Sequence, residues 1–288
     1  MLVGAHVSPA GGPANAVANG EERGCESIQF FSQSPRTWRA REYTEDEVGA
    51  YRQAIEGSEK IKAATIHAVY LINCASEDAE IRKKSLTSLT LALRNGAALG
   101  VEGVVLHAGS ALKTDVDKAI TRAAKVIKEA LAESETCPLH LENTAGSGAT
   151  LGRSFDELAA LIEQSGGGER LGVCLDSCHL FASGYDVRTR DGLTQVIDDF
   201  DAVVGCDRLG SVHVNDSKTA LGSNVDRHAP LGTGELGAKG LATFVSEPRF
   251  DGLAGIFEGP GVAGKGIVKE DIDEMKKLRR RGVRARKG

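Results

Sequence analysis

Eight short runs rich in Val, Ile and Leu recur along the chain, and helical patterns separate them. No other feature narrows the fold so far. The runs are LVGAHV (2–7), SIQFFS (27–32), AATIHAV (63–69), GVVLHAG (103–109), PLHLEN (138–143), GVCLDS (172–177), LGSVHVND (209–216) and GLAGIFEGP (252–260). Helical segments are predicted near 13–23, 44–56, 79–99, 119–131, 154–164, 187–204, 235–246 and 268–281. In one of them, Ile120, Ala124, Ile127 and Leu131 share a face at three- and four-residue steps. Thr44 and Ser154 each stand three residues before a Glu, in capping-box order. Near-continuous apolar strands alternating with helices require a parallel sheet covered on one or both faces. Eight such units in 288 residues predict an α/β chain closed into a (β/α)8 TIM barrel. The expected organisation is a single domain over 1–275 followed by a basic C-terminal tail, 276–288. An open doubly wound sheet is the alternative. The GSGATLG at 146–152 does not support it, because its third glycine comes one position too late for a dinucleotide fingerprint.

What ends each run carries the chemistry. In order the ends are His6, Phe31, His67, His107, Glu142, Asp176, His213 and Glu258. In a barrel, C-terminal strand ends and the loops after them form the active-site mouth. A single histidine there is ordinarily a satisfied core or surface residue. Here five of the seven histidines (67, 107, 179, 213 and 228) lie at or just after strand ends, and unpaired buried imidazoles are costly. Glu142, Asp176, Asp226 and Glu258 join them, giving N and O donors suited to zinc, or to manganese or iron. Four carboxylates in one mouth repel, and several would protonate without cations nearby. Two divalent ions balance four carboxylates, and three leave about +2. The donors are too many for one tetrahedral zinc, so three ions are the natural count, although the inventory also accommodates two. Such clusters activate water and hold both oxygens of an in-line phosphoryl displacement, which points to phosphodiester hydrolysis.

The stretch VCLDSCHL (173–180) leaves a choice between a thiol pair, Cys174 and Cys178, and a carboxylate–imidazole pair, Asp176 and His179. Strand periodicity puts Cys174 and Asp176 on one face, so geometry alone does not decide. The other candidate donors are all His, Asp and Glu, which favours the second pair and makes the thiols buried fillers. The six cysteines are scattered, without C-x2-C units, as expected of reduced thiols in a cytoplasmic chain.

Charge is unevenly spread. Net charge is −5, and residues 276–288 hold eight basic residues and no acid, so the rest sums to −5 − 8 = −13. A polyanion binder with a generally basic surface has a different balance. The tail reads either as a solvated helix end or as an electrostatic arm that adds salt-dependent affinity for a polyanion. The opening MLVGAHVSPAGG has no basic n-region, and no stretch approaches the roughly 20 apolar residues of a membrane helix, so a soluble cytoplasmic protein is expected.

HAVYLIN (67–73), HAGS (107–110), ENTAGSG (142–148), CLDSCHLFASGYD (174–186), HVNDSK (213–218) and VDRHAPLGTG (225–234) together resemble the endonuclease IV family of zinc-dependent apurinic/apyrimidinic endonucleases. The resemblance runs from GAHVS (4–8) to the last strand and implies a barrel with three zinc ions. It implies His67 and His107 on a first ion, with Glu142 bridging to a second. Asp176, His213 and Glu258 would complete the second, while His179, Asp226 and His228 would hold the third. Glu142 and Glu258 are the implied catalytic carboxylates. The implied reaction is attack by metal-bound hydroxide on the phosphodiester 5′ to an abasic site in double-stranded DNA, leaving a 3′-hydroxyl and a 5′-deoxyribose phosphate. Arg36, Tyr70 and Leu71 match the side chains that enter the DNA at the lesion, and a monomer suffices. One motif departs: FEGPG (257–261) stands where the family usually has an LET-like segment. His6 and His140 are left to support ligands or fill the interior. Two rivals are a metal-dependent sugar isomerase or epimerase on a related barrel and a non-catalytic DNA-damage binder.

Overall fold

In chain order the strands are β1 (Leu2–His6), β2 (Ser27–Phe31), β3 (Ala63–His67), β4 (Gly103–Leu106), β5 (Leu139–Glu142), β6 (Leu171–Asp176), β7 (Leu209–His213), β8 (Asp216–Ser217), β9 (His228–Ala229) and β10 (Ala254–Phe257). The helices are α1 (Ala14–Arg23), α2 (Glu45–Gly57), α3 (Ala79–Leu99), α4 (Val116–Ala132), α5 (Phe155–Gln164), α6 (Ser177–Ser183), α7 (Arg190–Val203), α8 (Gly237–Phe244) and α9 (Lys269–Lys287). The computed structural model describes residues 1–39, 41–264 and 266–287, so Gly288 of the expected tail lies outside the described residues. β1 to β7 and β10 run parallel and close into one barrel in sequence order, with β10 returning to β1. All eight predicted strands are present, and the open sheet is excluded. The sequence patterns do not reveal α6 or the small antiparallel β8–β9 pair, both between barrel strands at the mouth.

Strand periodicity sorts each barrel strand into two faces. In β5, Leu139 and Leu141 join the apolar core shared with the helices, whereas His140 and Glu142 make contacts across the barrel interior. His140 is buried, its Nδ1 is 3.1 Å from Ser211 Oγ, and burial pushes its pKa down to about 4. Gly103, Gly172 and Gly210 line its ring, and a Cβ on any of them would collide with it or crowd it. His140 therefore fills the interior as a neutral ring one layer below the mouth, without touching the carboxylates there.

The helices cover the outer face and are capped as the sequence implies. Thr44 and Glu47 form a reciprocal capping box on α2, and Ser154 Oγ accepts from Glu157 N on α5.

The boundary expected at 275/276 is not a structural one. Residues 276–287 continue α9, and Ile272, Met275, Leu278 and Gly282 bury a stripe at three- and four-residue steps. Each fully buried large side chain in such a stripe contributes ~1.5–3 kcal/mol. The basic residues occupy the rest of the same helix. Lys276 reaches Gly24 O, Arg279 meets Asp251, and Arg286 pairs with Glu247 at 2.9 Å. Those partners precede β2 and β10, so the basic end of α9 lies at the pole opposite the mouth.

Candidate metal centre

Glu142, the last residue of β5, is 1% exposed and sits among four imidazoles. Its Oε2 lies 2.7 Å from His107 Nε2 and 3.2 Å from His67 Nε2. Its Oε1 lies 3.1 Å from His213 Nδ1 and 3.1 Å from His179 Nδ1. One carboxylate thus faces His67 and His107 with one oxygen and His213 with the other.

Three donor groups follow. His67, His107 and Glu142 form the first. Glu142, Asp176, His213 and Glu258 form the second, with Glu258 Oε2 3.0 Å and Asp176 Oδ2 3.9 Å from His213 Nδ1. His179, Asp226 and His228 form the third, where Asp226 Oδ2 is 3.2 Å from His179 Nε2 and Oδ1 is 3.2 Å from His228 Nε2. Within each group the donor atoms lie within 4.8 Å of one another. The nine residues singled out in the sequence occupy these groups, and Glu142 is shared by the first two.

Local structure explains the spacing in VCLDSCHL. Asp176 ends β6 and is the N-cap of α6, its Oδ1 accepting from His179 N at 2.8 Å. A carboxylate at the cap and an imidazole one turn on, the D-x2-H spacing, are what that junction places side by side. Gly184, at φ +114°, ends α6 in the left-handed region. Asp226 and His228 come from the segment between β7 and α8. Ser147 Oγ accepts from Asp226 N at 3.0 Å and donates to Asn224 O, so this segment is fastened to the loop after β5.

A second arrangement shares His228: Asp176, Cys178 and His228 also lie within ligand reach of one another. Geometry favours the His179 group. Asp176 already belongs to the second group, and its Oδ1 also accepts from the α6 cap at His179 N. His179 Nδ1 meets Asn143 O at 2.9 Å, which leaves Nε2 to point into the third group. That Nε2 is buried with no hydrogen bond, as is His228 Nε2, although each is close to an Asp226 oxygen. The carboxylate approaches off the line a hydrogen bond needs. Convergent, unpaired N and O donors of this kind fit a divalent transition metal. His67 is oriented the same way, its Nδ1 2.6 Å from Ala68 O and its Nε2 facing Glu142.

Without a metal, the donors hold one another as ion pairs. Burial disfavours charge on Glu142, but His107 and His213 overcome it and hold the carboxyl well below the usual range. Glu258 is held low against burial by His213. Burial opposes a charged His179, yet Asp176, Asp226 and Glu142 raise it well above the ordinary imidazole value. His228, also opposed by burial, is lifted to about 10 by Asp226.

Three amide side chains at the site are not among the residues singled out in the sequence: Gln29, Asn143 and Asn215. Asn143 Oδ1 accepts from Asp176 N at 2.6 Å, and Asn215 links Asp176 to Glu258 N. Both follow ligand-bearing strand ends in ENT and HVND, which is a usable signal. Gln29 carries none beyond standing two before Phe31, on the same strand face.

The residues matched to DNA insertion are distributed as follows. Tyr70 is 72% exposed and stacks edge-on against Phe31, ring centroids 5.2 Å apart, with His67 at 6.0 Å. Leu71 is half-buried and packs on the core. Arg36 is exposed in the loop after β2 and is in no ion pair among the described residues. Trp38 in that loop is half-buried against the core, and Arg41 is tied to Glu47 at 2.6 Å. His6 stacks on Phe31 and lies 3.6 Å from Glu258 Oε1, outside the three donor groups.

Comparison with known proteins extends these observations. A family described as xylose isomerase-like TIM barrel matches residues 17–278. The probable endonuclease 4 of Cenarchaeum symbiosum (strain A) is 39% identical over 280 residues, covering 97% of this chain and 99% of that protein. That of Halothermothrix orenii is 36% identical over 281 residues, covering 97% and 100%. Among solved structures, endonuclease IV from Thermus thermophilus superposes with a TM-score of 0.82 at 37% identity, over 98% of each chain. A D-tagatose 3-epimerase-like protein superposes with a TM-score of 0.70 at 16% identity, over 99% of this chain and 100% of that one, which is a likeness of fold alone.

Proposed function

The chain belongs to the endonuclease IV family, and from that premise we propose that it is a DNA-repair hydrolase cutting the phosphodiester 5′ to an abasic site. The products are a 3′-hydroxyl and a 5′-deoxyribose phosphate. The observation that carries the reading is Glu142, whose two oxygens join separate His-rich groups while a third group stands beside them. Three zinc ions suit this donor set: His67, His107 and Glu142; Glu142, Asp176, His213 and Glu258; His179, Asp226 and His228. Zinc bound there supplies Lewis acidity and an activated water for in-line displacement at phosphorus.

The chain's own residues set how substrate meets the site. Asp176 and His213 side chains are 0% exposed, whereas His107 is 33% and Asp226 40% exposed. A phosphate therefore approaches from the His107–Asp226 side. Glu142 and Glu258 are the catalytic carboxylates of this reading: the first spans two groups and the second closes the deepest one. Positive charge for the phosphate comes from the cluster rather than from the chain, whose residues before 276 sum to −13 (−5 less the +8 of 276–288). Tyr70, Leu71 and Arg36 form the lesion-reading edge, with Tyr70 beside the donor groups and Arg36 on the adjoining loop. Among the described residues no helix is long and apolar enough to cross a membrane. A cytoplasmic monomer acting on duplex DNA completes the proposal.

The test is a duplex with one abasic site, incubated with zinc-replete protein. The expected result is a single cut 5′ to the lesion, with an end that a polymerase extends, and about three zinc per chain by elemental analysis. Intact duplex after that incubation rejects the function. One manganese or magnesium per chain would instead favour a sugar isomerase or epimerase.

A further inference from the structure

The geometry assigns to Gln29 the role of a positioning residue for the second donor group, an inference that rests on the metal reading of that group. β2 ends in Phe31, without a candidate ligand. Its contribution lies one layer lower. Gln29 is fully buried, and strand register sets it beside His6 on β1 and Thr65 on β3.

The amide of Gln29 has two distinguishable ends. Its Nε2 lies 2.6 Å from Glu258 Oε1 and 3.3 Å from His6 Nδ1. An ionised carboxylate only accepts hydrogen bonds, so the end facing Glu258 must be the NH2. The other end is then the carbonyl. It accepts from Thr65 Oγ1 at 3.1 Å and faces His213 Nε2 at 3.0 Å. A carbonyl cannot donate, so His213 Nε2 must carry the proton. In the neutral ring that a metal requires, Nδ1 is therefore the unprotonated nitrogen, and Nδ1 is the atom that faces Glu142, Glu258 and Asp176. One amide fixes the tautomer of His213, the last residue of β7, and the orientation of Glu258, which follows β10. Thr65 holds that amide in its orientation.

The test compares zinc binding by chelator competition on stripped, full-length protein for wild type, Gln29→Met, Thr65→Val and Thr65→Ser. Gln29→Met keeps the volume and removes both hydrogen-bonding ends. It is expected to weaken one of the three zinc ions by about 10- to 100-fold, the usual effect of losing a ligand's supporting partner, and to leave the other two unchanged. Thr65→Val weakens the same ion by a smaller factor, and Thr65→Ser restores it. A merely structural role would lower melting temperature without singling out one ion or responding to the serine rescue. Should Gln29→Met fail to fold, the Thr65 pair decides. Wild-type zinc binding together with unaltered binding in Gln29→Met or Thr65→Val overturns this proposal alone. Absence of zinc binding in wild type overturns the metal reading and this proposal with it.

Discussion

Replacing His179 by alanine separates the two ways of building the third donor group, because they share His228 alone: one adds His179 and Asp226, the other Asp176 and Cys178. His179 is 2% exposed, and its Nδ1 is bonded to Asn143 O. The substitution leaves that carbonyl without its partner, which costs the metal-free protein ~1–3 kcal/mol. It also leaves Asp226 and His228 as the only donors of their group, too few to retain zinc against a chelator. A ligand present at 1,000 times its Kd stabilises a fold by ~4 kcal/mol, so loss of one ion removes about that much from the loaded protein. At ~2 °C per kcal/mol, that second loss amounts to roughly 8 °C. The assay is elemental analysis after dialysis, paired with melting of loaded and stripped protein. His179→Ala should hold two zinc and Cys178→Ser three. Three zinc in the alanine variant, or two in the serine variant, refutes the choice of ligands and favours the Asp176–Cys178–His228 arrangement.

Other outcomes follow from the same geometry. His228 has a raised pKa of about 10 in the metal-free protein, above the ordinary 6.5. Its contribution to metal-free stability is complete below pH 6.5 and is lost as pH rises through about 10. Zinc must displace that proton, so affinity of the third group rises with pH across the same window, by roughly tenfold per unit per proton released. Competition titrations at pH 6.5, 7.5 and 8.5 check the sign, and a flat or falling profile contradicts it. Deleting 276–288 removes buried Leu278 and the Arg286–Glu247 pair, so it should cost ~3 kcal/mol or more, whatever the salt concentration. An unchanged melting temperature with weakened low-salt DNA binding would restore the electrostatic-arm reading. Tyr70→Ala, at a largely exposed position, should leave stability within ~0.5 kcal/mol and zinc at wild-type level while weakening binding to an abasic duplex. Unaltered binding removes Tyr70 from the lesion-reading edge.

The basic segment shows how composition can be read correctly and placed wrongly. Its eight charges are real, yet the stripe of Ile272, Met275, Leu278 and Gly282 runs at helical spacing from the preceding residues into the same stretch. That stripe draws the segment onto the barrel as α9 and carries its basic end away from the mouth. Charge counts carry no direction, whereas a buried stripe fixes which way a helix lies.

The sequence by itself determined the barrel and the donor inventory. Eight apolar runs, seven of them ending in polar residues, are local patterns, and strand periodicity sends His67, Glu142, Asp176 and His213 to a common end. Tertiary structure alone decided how those donors divide. Glu142 meets His67 and His107 with one oxygen and His213 with the other because β3, β4, β5 and β7 converge at the mouth of a closed barrel. The same closure brings Gln29 to Glu258, 229 residues further along the chain. No periodicity along the chain encodes a contact across the barrel. It exists only once the strands close and interior side chains from opposite strands share the same small space.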